Sequence, residues 1–301
     1  MLKIAWDPSY CHPLPKGHRF PMEKYDLLPE QLLYEGLIAR ENLFTPQPCN
    51  EEAILRVHEQ IYYEKLLTLK LDKQDIRRSG FPLSKALVER EVLIAGGTVE
   101  CVHFAMLHGI SMNIAGGTHH AFTDRPEGFC LLNDQAIAAQ YALDHGIVNS
   151  VLIVDLDVHQ GNGTAKIFEK NERVFTFSMH GKHNYPLRKE RSDLDVALDD
   201  KVTDEEYLEK LYINIKKIIT QFTPDFVFYQ AGVDILKSDQ LGRLGVSLLG
   251  CQMRDEFVIN TFREKEIPIV ICMGGGYSPK IGHIVDAHAQ TFRIAAQHLN
   301  S

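Results

Sequence analysis

The chain has 301 residues, of which 45% are hydrophobic and 24% are charged, a composition typical of a globular protein in water. Its formal net charge of −8 at pH 7 disfavours non-specific binding to nucleic acids or anionic membranes. No apolar run reaches the roughly 18 residues that a membrane helix needs, and the six cysteines form no CxxC pair. We therefore expect a cytoplasmic protein with free thiols, no direct nucleic-acid partner and no structural zinc cluster.

Apolar segments that predict strands alternate with longer segments that predict helices along most of the chain. The predicted strands are 2–6, 112–115, 151–154, 173–179, 226–230 and 267–273. The predicted helices are 23–39, 51–58, 62–67, 84–108, 133–146, 204–222, 247–265 and 282–299. Segments 7–22 and 180–200 are expected to be irregular.

This alternation indicates an α/β fold of three layers, with a mostly parallel central sheet and helices on both faces. The sequence has no internal repeat, no low-complexity block and no abrupt change of composition. We therefore expect one domain that spans residues 1–301.

Three side chains that can bind a metal follow the apolar run 151–154 at every second residue. They are Asp155, Asp157 and His159, and in an extended backbone they point in the same direction. Buried carboxylates must be paired or coordinated, so a metal site is one interpretation of the trio. A strand end with a turn-capping Asp and one hydrogen-bonded His is the alternative. Asn162 then has the residue type and position of a helix N-cap.

Three further predicted strands are followed by unusual residues. His119 and His120 follow segment 112–115, Asp239 follows segment 226–230, and Tyr277 follows three glycines after segment 267–273. Each could be a loop or turn residue on its own. Because ligands collect at the carboxyl ends of parallel strands, the joint pattern predicts one shared site.

The chemistry that this set suits is metal-assisted hydrolysis. Asp157, His159 and Asp239 would supply two carboxylates and an imidazole and leave one metal position for water. The metal would polarise a carbonyl and lower the pKa of the bound water. A neighbouring His would move the proton to a leaving amine, and the phenol of Tyr277 would donate to the developing oxyanion.

Taken together, these motifs resemble those of the zinc-dependent histone deacetylase family of the arginase–deacetylase superfamily. The matching segments are Gly-Gly-Thr-His-His-Ala, Gly-Phe-Cys-Leu-Leu-Asn-Asp, Asp-Leu-Asp-Val-His-Gln-Gly-Asn-Gly, Ala-Gly-Val-Asp with the following Asp239 and Leu-Gly, and Gly-Gly-Gly-Tyr. In chain length and in the residues of the third segment, the sequence is most similar to class IV deacetylases and their bacterial relatives.

The resemblance implies a role for each matching residue. Zinc would bind Asp157, His159 and Asp239. His119 would be oriented by Asp155 as an electrostatic group, His120 by Asn162 as general base and then acid, and Tyr277 would polarise the scissile carbonyl. Gly128 and Phe129 would line an acyl-lysine tunnel, and Gly275 would contact the acyl group. A structural potassium ion would lie at Asp155, Asp157, His159, Ser178 and Met179.

One departure from the family pattern lies in the segment after the strand near Met179. Many class I members have a second tunnel Phe there, and Tyr185 is the residue of this chain that we expect to take its place. A tunnel without a Phe pair could be wider, so the preferred acyl length stays open.

The resemblance implies hydrolysis of acetyl or longer fatty-acyl groups from lysine side chains, with acylated peptides, proteins or amines as partners. Deacetylation of polyamines or other small molecules, including a role in acetoin metabolism, is the alternative. A two-manganese ureohydrolase is less favoured because Gly232-Val233-Asp234 offers one Asp where that branch has a close pair. A binding module without turnover would be favoured only if Tyr277 or the His pair were missing.

Overall fold

The computed structural model describes residues 1–298, and its centre is a sheet of eight parallel strands. The strands are β1 (Lys3–Ala5), β2 (Leu43–Phe44), β3 (Ile110–Asn113), β4 (Val151–Asp155), β5 (Val174–Gly181), β6 (Leu194–Leu198), β7 (Phe226–Gln230) and β8 (Ile269–Cys272). Their order across the sheet is β2-β1-β3-β8-β7-β4-β5-β6. The predicted α/β fold is confirmed.

Helices surround this sheet. They are α1 (Lys24–Tyr34), α2 (Glu51–Leu55), α3 (Gln60–Leu67), α4 (Lys73–Ser79), α5 (Lys85–His108), α6 (Asp134–Asp144), α7 (Asn162–Phe168), α8 (Asp204–Gln221), α9 (Leu248–Arg263) and α10 (Ile281–Gln297). Every residue of β3, β4, β7 and β8 is buried. Because successive strand residues point to opposite faces, both faces of the sheet centre are covered. The predicted end of the last helix, Leu299, lies outside the described residues.

Three elements were not predicted from the sequence: β2, α4 and β6. Strand β6 lies within segment 180–200, so the prediction that this whole segment is irregular is wrong. The position of Asn162 also differs from the prediction. The N-cap of α7 is Gly161, which leaves the Asn162 side chain free for contacts outside the helix.

The four strands that precede the predicted site residues are neighbours in the sheet, in the order β3-β8-β7-β4. Their last residues are also in register, because Asn113 pairs with Cys272, Cys272 with Gln230, and Gln230 with Asp155. The four connections that follow therefore begin at the same level of one sheet edge, which is where open α/β sheets bind ligands.

Within residues 1–298, the structure contains no helix with the length and apolarity required to cross a membrane.

Candidate metal centre and active site

Asp157, His159 and Asp234 form a buried group that can hold a metal ion. One ligand atom from each lies within 4.8 Å of the others. The Nδ1 atom of His159 is 3.1 Å from an oxygen of Asp157 and 3.1 Å from an oxygen of Asp234. Two carboxylates and an imidazole that converge in this way form a donor set suited to a divalent metal with a further position for water.

Asp239, which we predicted as the third ligand, is not a member of this three-residue group, which contains Asp234 instead. The ligand role of Asp239 stays a prediction. Its Oδ1 atom accepts hydrogen bonds of 2.8 Å from the backbone N–H groups of Leu241 and Gly242. Its Oδ2 atom accepts one of 2.6 Å from the N–H of Tyr277. The carboxylate of Asp239 therefore organises the loop that carries Tyr277, and it also lies close enough to His159 and Asp234 to interact with their charges.

Backbone N–H groups hold the two carboxylates of the centre. Gly275 donates to Asp157 Oδ2 over 2.7 Å, and Val158 donates to Asp234 Oδ1 over 2.9 Å. A Cβ atom on Gly275 would lie 2.0 Å from Asp234 Oδ2, and one on Gly232 would lie 2.3 Å from Asp157 Oδ2. These two positions require glycine because the backbone passes so close to the carboxylates.

Two histidines from the loop after β3 lie beside the metal centre, and each contacts the partner expected from the sequence. His119 Nδ1 is 2.7 Å from Asp155 Oδ2, and His120 Nδ1 is 2.7 Å from Asn162 Oδ1. Since a carboxylate or amide oxygen only accepts, both Nδ1 atoms carry a proton. In neutral His120 the Nε2 atom is then free to accept one.

The two histidines differ in charge. Burial opposes protonation of His119, but the carboxylates of Asp155 and Asp157 outweigh it and raise its pKa to about 9. Burial, together with the positive charges on His119 and His159, lowers the pKa of His120 well below its usual value. The pair therefore consists of a cationic His119 beside a neutral His120, and only the neutral imidazole can act as a base.

Aromatic side chains form the walls of a cavity of about 460 Å³ that opens above this centre. Phe129 and Tyr277 lie on one side, with ring centroids 6.1 Å apart. Tyr185, whose ring centroid is 5.3 Å from that of His120, lines the same cavity. A Cβ atom on Gly128 would come within 2.5 Å of the His120 ring, so the cavity wall approaches the two histidines this closely only because this residue is glycine.

The structure also brings in two residues that sequence reasoning missed. Lys24 is fully buried, and its Nζ atom donates to the carbonyl oxygen of Gly274 over 3.0 Å. Burial lowers its pKa to about 8 against the pull of Asp234 and Asp157. Glu127 Oε1 accepts a 2.8 Å hydrogen bond from Asn162 Nδ2. The only sequence feature that pointed to Glu127 was its position directly before Gly128. No sequence feature pointed to Lys24.

Comparison with known proteins agrees with the fold. The family model described as histone deacetylase domain matches residues 18–292. Histone deacetylase 2 of Arabidopsis thaliana is 31% identical over 292 residues, covering 93% of this chain and 75% of that protein. An uncharacterised protein of Picosynechococcus sp. is 41% identical over 97% of both chains. A crystal structure of an HDAC homolog complexed with SAHA superposes with a TM-score of 0.83 at 25% identity, covering 99% of this chain and 83% of that one.

The parallel sheet defines a protein of the arginase–deacetylase fold, and the buried Asp-His-Asp group at the carboxyl edge of that sheet is its candidate metal site. Within that class, the chain belongs to the histone deacetylase family, which makes it a hydrolase that acts on amide bonds.

Proposed function

We propose that the protein is a zinc-dependent deacylase that removes acetyl or longer fatty-acyl groups from the lysine side-chain amine of peptides or proteins. The observation that carries this proposal is that one cavity is lined by Asp157, His159, His119, His120 and Tyr277. Asp234 lies beside Asp157 and His159. The donor set fits zinc, and zinc bound there would polarise the scissile carbonyl and acidify the attacking water.

Three side chains would carry out the proton transfer and the stabilisation of charge. His120, held neutral and oriented by Asn162, takes the proton of the attacking water on Nε2 and returns it to the leaving amine. His119, held cationic by Asp155, stabilises negative charge that develops beside it. The phenol of Tyr277 remains protonated because burial raises its pKa well above the usual value, so it can donate to the oxyanion.

The outer cavity suits an acyl-lysine side chain. Gly128, Phe129 and Tyr185 would enclose its methylene groups, and Gly275, whose N–H is engaged by Asp157, would lie against the acyl group. The preferred acyl length is part of the proposal to be tested, as is the predicted relationship to class IV deacetylases. The cytoplasmic location likewise stays a prediction.

A structural potassium ion belongs to the same proposal. Asp155 and Ser178 are paired residues of β4 and β5, and Met179 follows Ser178 in β5. The predicted set of Asp155, Asp157, His159, Ser178 and Met179 is therefore contributed by two adjacent strands and the segment that follows β4. Backbone carbonyl and carboxylate oxygens are the ligands that hard cations prefer.

Small-molecule deacetylation is the second candidate function, because the relatives include the acetoin utilization protein AcuC of Staphylococcus aureus, which is 28% identical over 87% of this chain. A ureohydrolase is less favoured. That reaction uses two neighbouring metals, whereas a single group of three metal-capable side chains occurs among the described residues.

A substrate panel tests the proposal. Zinc-loaded protein is assayed with acetyl-lysine peptide, myristoyl-lysine peptide and acetylpolyamine, and we expect at least one of the lysine peptides to be hydrolysed fastest. Tyr277→Phe should lower kcat by about 10²- to 10³-fold, the usual cost of one oxyanion donor, while zinc content stays unchanged. Hydrolysis of the polyamine alone, or an unchanged rate in Tyr277→Phe, would contradict the proposal.

A further inference from the structure

Three arginines line the mouth of the outer cavity: Arg19, Arg77 and Arg78. The same cavity reaches His120 and His159 at its floor. None of the described residues that line it is acidic. A chain with a net charge of −8 thus presents a positive rim, which we call the arginine rim, where a substrate enters.

The arginine rim is fixed to the tunnel wall by backbone contacts. Gly128 N donates to the carbonyl oxygen of Arg78 over 3.0 Å, and Phe129 N donates to that of Ser79 over 2.8 Å. On the other side, Nε2 of His18 lies 2.8 Å from the carbonyl oxygen of Gly80. Both the end of α4 and the segment that carries Arg19 are therefore anchored beside Phe129.

Two of the three guanidinium groups are available for a ligand. Arg78 forms an ion pair of 3.1 Å with Asp75 within α4. Arg19 and Arg77 are exposed and form no ion pair or side-chain hydrogen bond with any residue from 1 to 298. A guanidinium group binds carboxylates through paired N–H donors, and the positive ends of exposed arginines attract anions to the cavity mouth.

We propose that the arginine rim binds a carboxylate close to the acylated amine. This inference rests on the proposed deacylase function and narrows its substrate class. The preferred substrates are acyl-lysines with neighbouring Asp or Glu residues, or acyl-amino acids that carry their own carboxylate. Basic tails and polyamines are disfavoured, because their positive charges would meet the arginine rim.

Binding measurements test this without requiring turnover. Titration calorimetry with the zinc-loaded protein measures the affinities of acetyl-lysine peptides in which the acetyl-lysine is flanked by Glu, Ala or Lys. It also compares the affinity of free Nε-acetyl-lysine with that of its carboxamide. We expect the Glu-flanked peptide to bind at least about fivefold more tightly than the Lys-flanked one at low salt, with the ratio falling as salt is added. Arg77→Glu combined with Arg19→Glu should reverse the preference.

The matched control is Arg173→Glu, because Arg173 is exposed and precedes the first residue of β5 at the opposite edge of the sheet. It should leave the preference unchanged. If free acetyl-lysine binds more tightly than its carboxamide, the substrate's own carboxylate is the group that binds the arginine rim. If only the flanking residues of the peptides change the affinity, their side-chain carboxylates are the groups that bind. Equal affinities for Glu- and Lys-flanked peptides, together with equal affinities for acetyl-lysine and its carboxamide, would overturn the inference while leaving deacylation itself intact.

An independent observation concerns Glu127, which contacts the partner of the proposed general base. Its Oε1 atom accepts from Asn162 Nδ2 over 2.8 Å, while Asn162 Oδ1 faces His120 Nδ1 at 2.7 Å. The Glu127 side chain is only 14% exposed, and its Oε2 atom lies 3.8 Å from Nε of Arg125. A carboxylate accepts but cannot donate, so it fixes which end of the Asn162 amide faces His120.

We infer that Glu127 is a positioning residue for His120 and acts through Asn162. The direct partner of His119 is a carboxylate, that of Asp155. His120 instead contacts the amide of Asn162, which in turn contacts the carboxylate of Glu127. This inference also rests on the proposed function, but the tautomer of His120 can be read without any substrate. Without Glu127 the side-chain amide of Asn162 can rotate by about 180°. Its NH₂ group would then face His120 Nδ1 and favour the tautomer of His120 that carries its proton on Nε2.

Nitrogen NMR of the imidazole of His120 in zinc-loaded protein should report the Nδ1–H tautomer in the wild type and a mixture in Glu127→Ala. In that variant kcat should fall about tenfold, with KM and zinc content unchanged. Asn162→Asp should restore both the tautomer and kcat in the Glu127→Ala background, because Asp can only accept. The exposed Glu172→Ala serves as control. An unchanged tautomer, or a loss that Asn162→Asp does not restore, would overturn this inference.

Discussion

At the scale of single residues, two carboxylates in one loop show how position within a loop decides the contacts of a side chain. Asp234 and Asp239 follow the same strand, β7. Asp234 comes first and still lies at the sheet edge, where its carboxylate meets Nδ1 of His159. The chain has turned by the time it reaches Asp239, whose carboxylate accepts three backbone hydrogen bonds instead.

The two residues should therefore respond differently to the same substitution. Asp234→Asn should weaken zinc binding by more than about a hundredfold, because loss of an outer partner alone costs about 10- to 100-fold. Asp239→Asn should lower kcat, because its amide group can accept fewer of the three hydrogen bonds that hold the Tyr277 loop, and its effect on zinc content tests the predicted role of Asp239 as a ligand. Zinc content after dialysis and steady-state kinetics measure the two effects.

Folding must be checked in parallel by circular dichroism, since both residues lie in one loop. If Asp239→Asn loses zinc and Asp234→Asn retains it, the assignment of the third ligand reverts to Asp239.

Most of the site could be predicted from sequence because its residues stand directly after apolar strands. His119, His120, Asp157 and His159 all follow a buried run at short distance, and parallel topology brings such positions together. The position of Asp234 beside Asp157 and His159 was not predicted, because two acidic residues share its loop and spacing alone does not show where the chain turns. Glu127 depends on contacts between distant loops, which no local pattern encodes.

At the scale of secondary structure, elements with strong local signals agree with the prediction. Ser84, predicted as the start of the long helix, caps α5 through a hydrogen bond to Leu87 N, and β7 begins and ends as predicted. Gly96 sits inside α5 without ending it. A Cβ atom there would lie 1.9 Å from the carbonyl oxygen of Gln47, so close packing explains this glycine.

The elements that were missed have weak local signals for identifiable reasons. Strand β6 lies at the edge of the sheet and alternates between exposed and partly buried residues that include Asp195. Helix α4 is short and rich in charged residues. Its only sequence signals are the capping residues at its two ends, Asp72 as N-cap and Gly80 in the left-handed region. Their formation depends on tertiary contacts more than on hydrophobic periodicity.

At the scale of the whole molecule, the metal centre joins the segments after β4 and β7, so metal binding and folding are coupled. Without metal, His159 is held protonated. Burial opposes its charge, but the carboxylates of Asp157 and Asp234 raise its pKa to about 10. Burial and the charge of Asp157 raise the pKa of Asp234 to about 7. Both residues must lose these protons before they can bind zinc.

The direction of the pH dependence follows from these protonation states. The raised pKa of His159 stabilises the metal-free fold fully below about pH 6.5, the pKa of an unfolded His, and this contribution disappears as the pH rises through about 10. Zinc replaces that proton, so its affinity should rise about tenfold per pH unit above pH 7. Below pH 7 the increase should be steeper, because Asp234 must also be deprotonated.

We therefore expect the gain in Tm on adding zinc, at a fixed buffered concentration of free zinc, to be larger at pH 8 than at pH 6. Free zinc at about a thousand times Kd stabilises the fold by about 4 kcal/mol. Calorimetric titration at pH 8 in two buffers of different ionisation enthalpy should show release of about one proton per zinc. Asp234→Asn should reduce the stabilisation by zinc to about 1.4 kcal/mol or less, with a correspondingly smaller gain in Tm, and exposed Arg173→Glu should preserve the full gain. Zinc binding with no proton release, or a gain in Tm that falls as the pH rises, would mean that His159 is not a ligand, because a protonated Nδ1 cannot coordinate a metal.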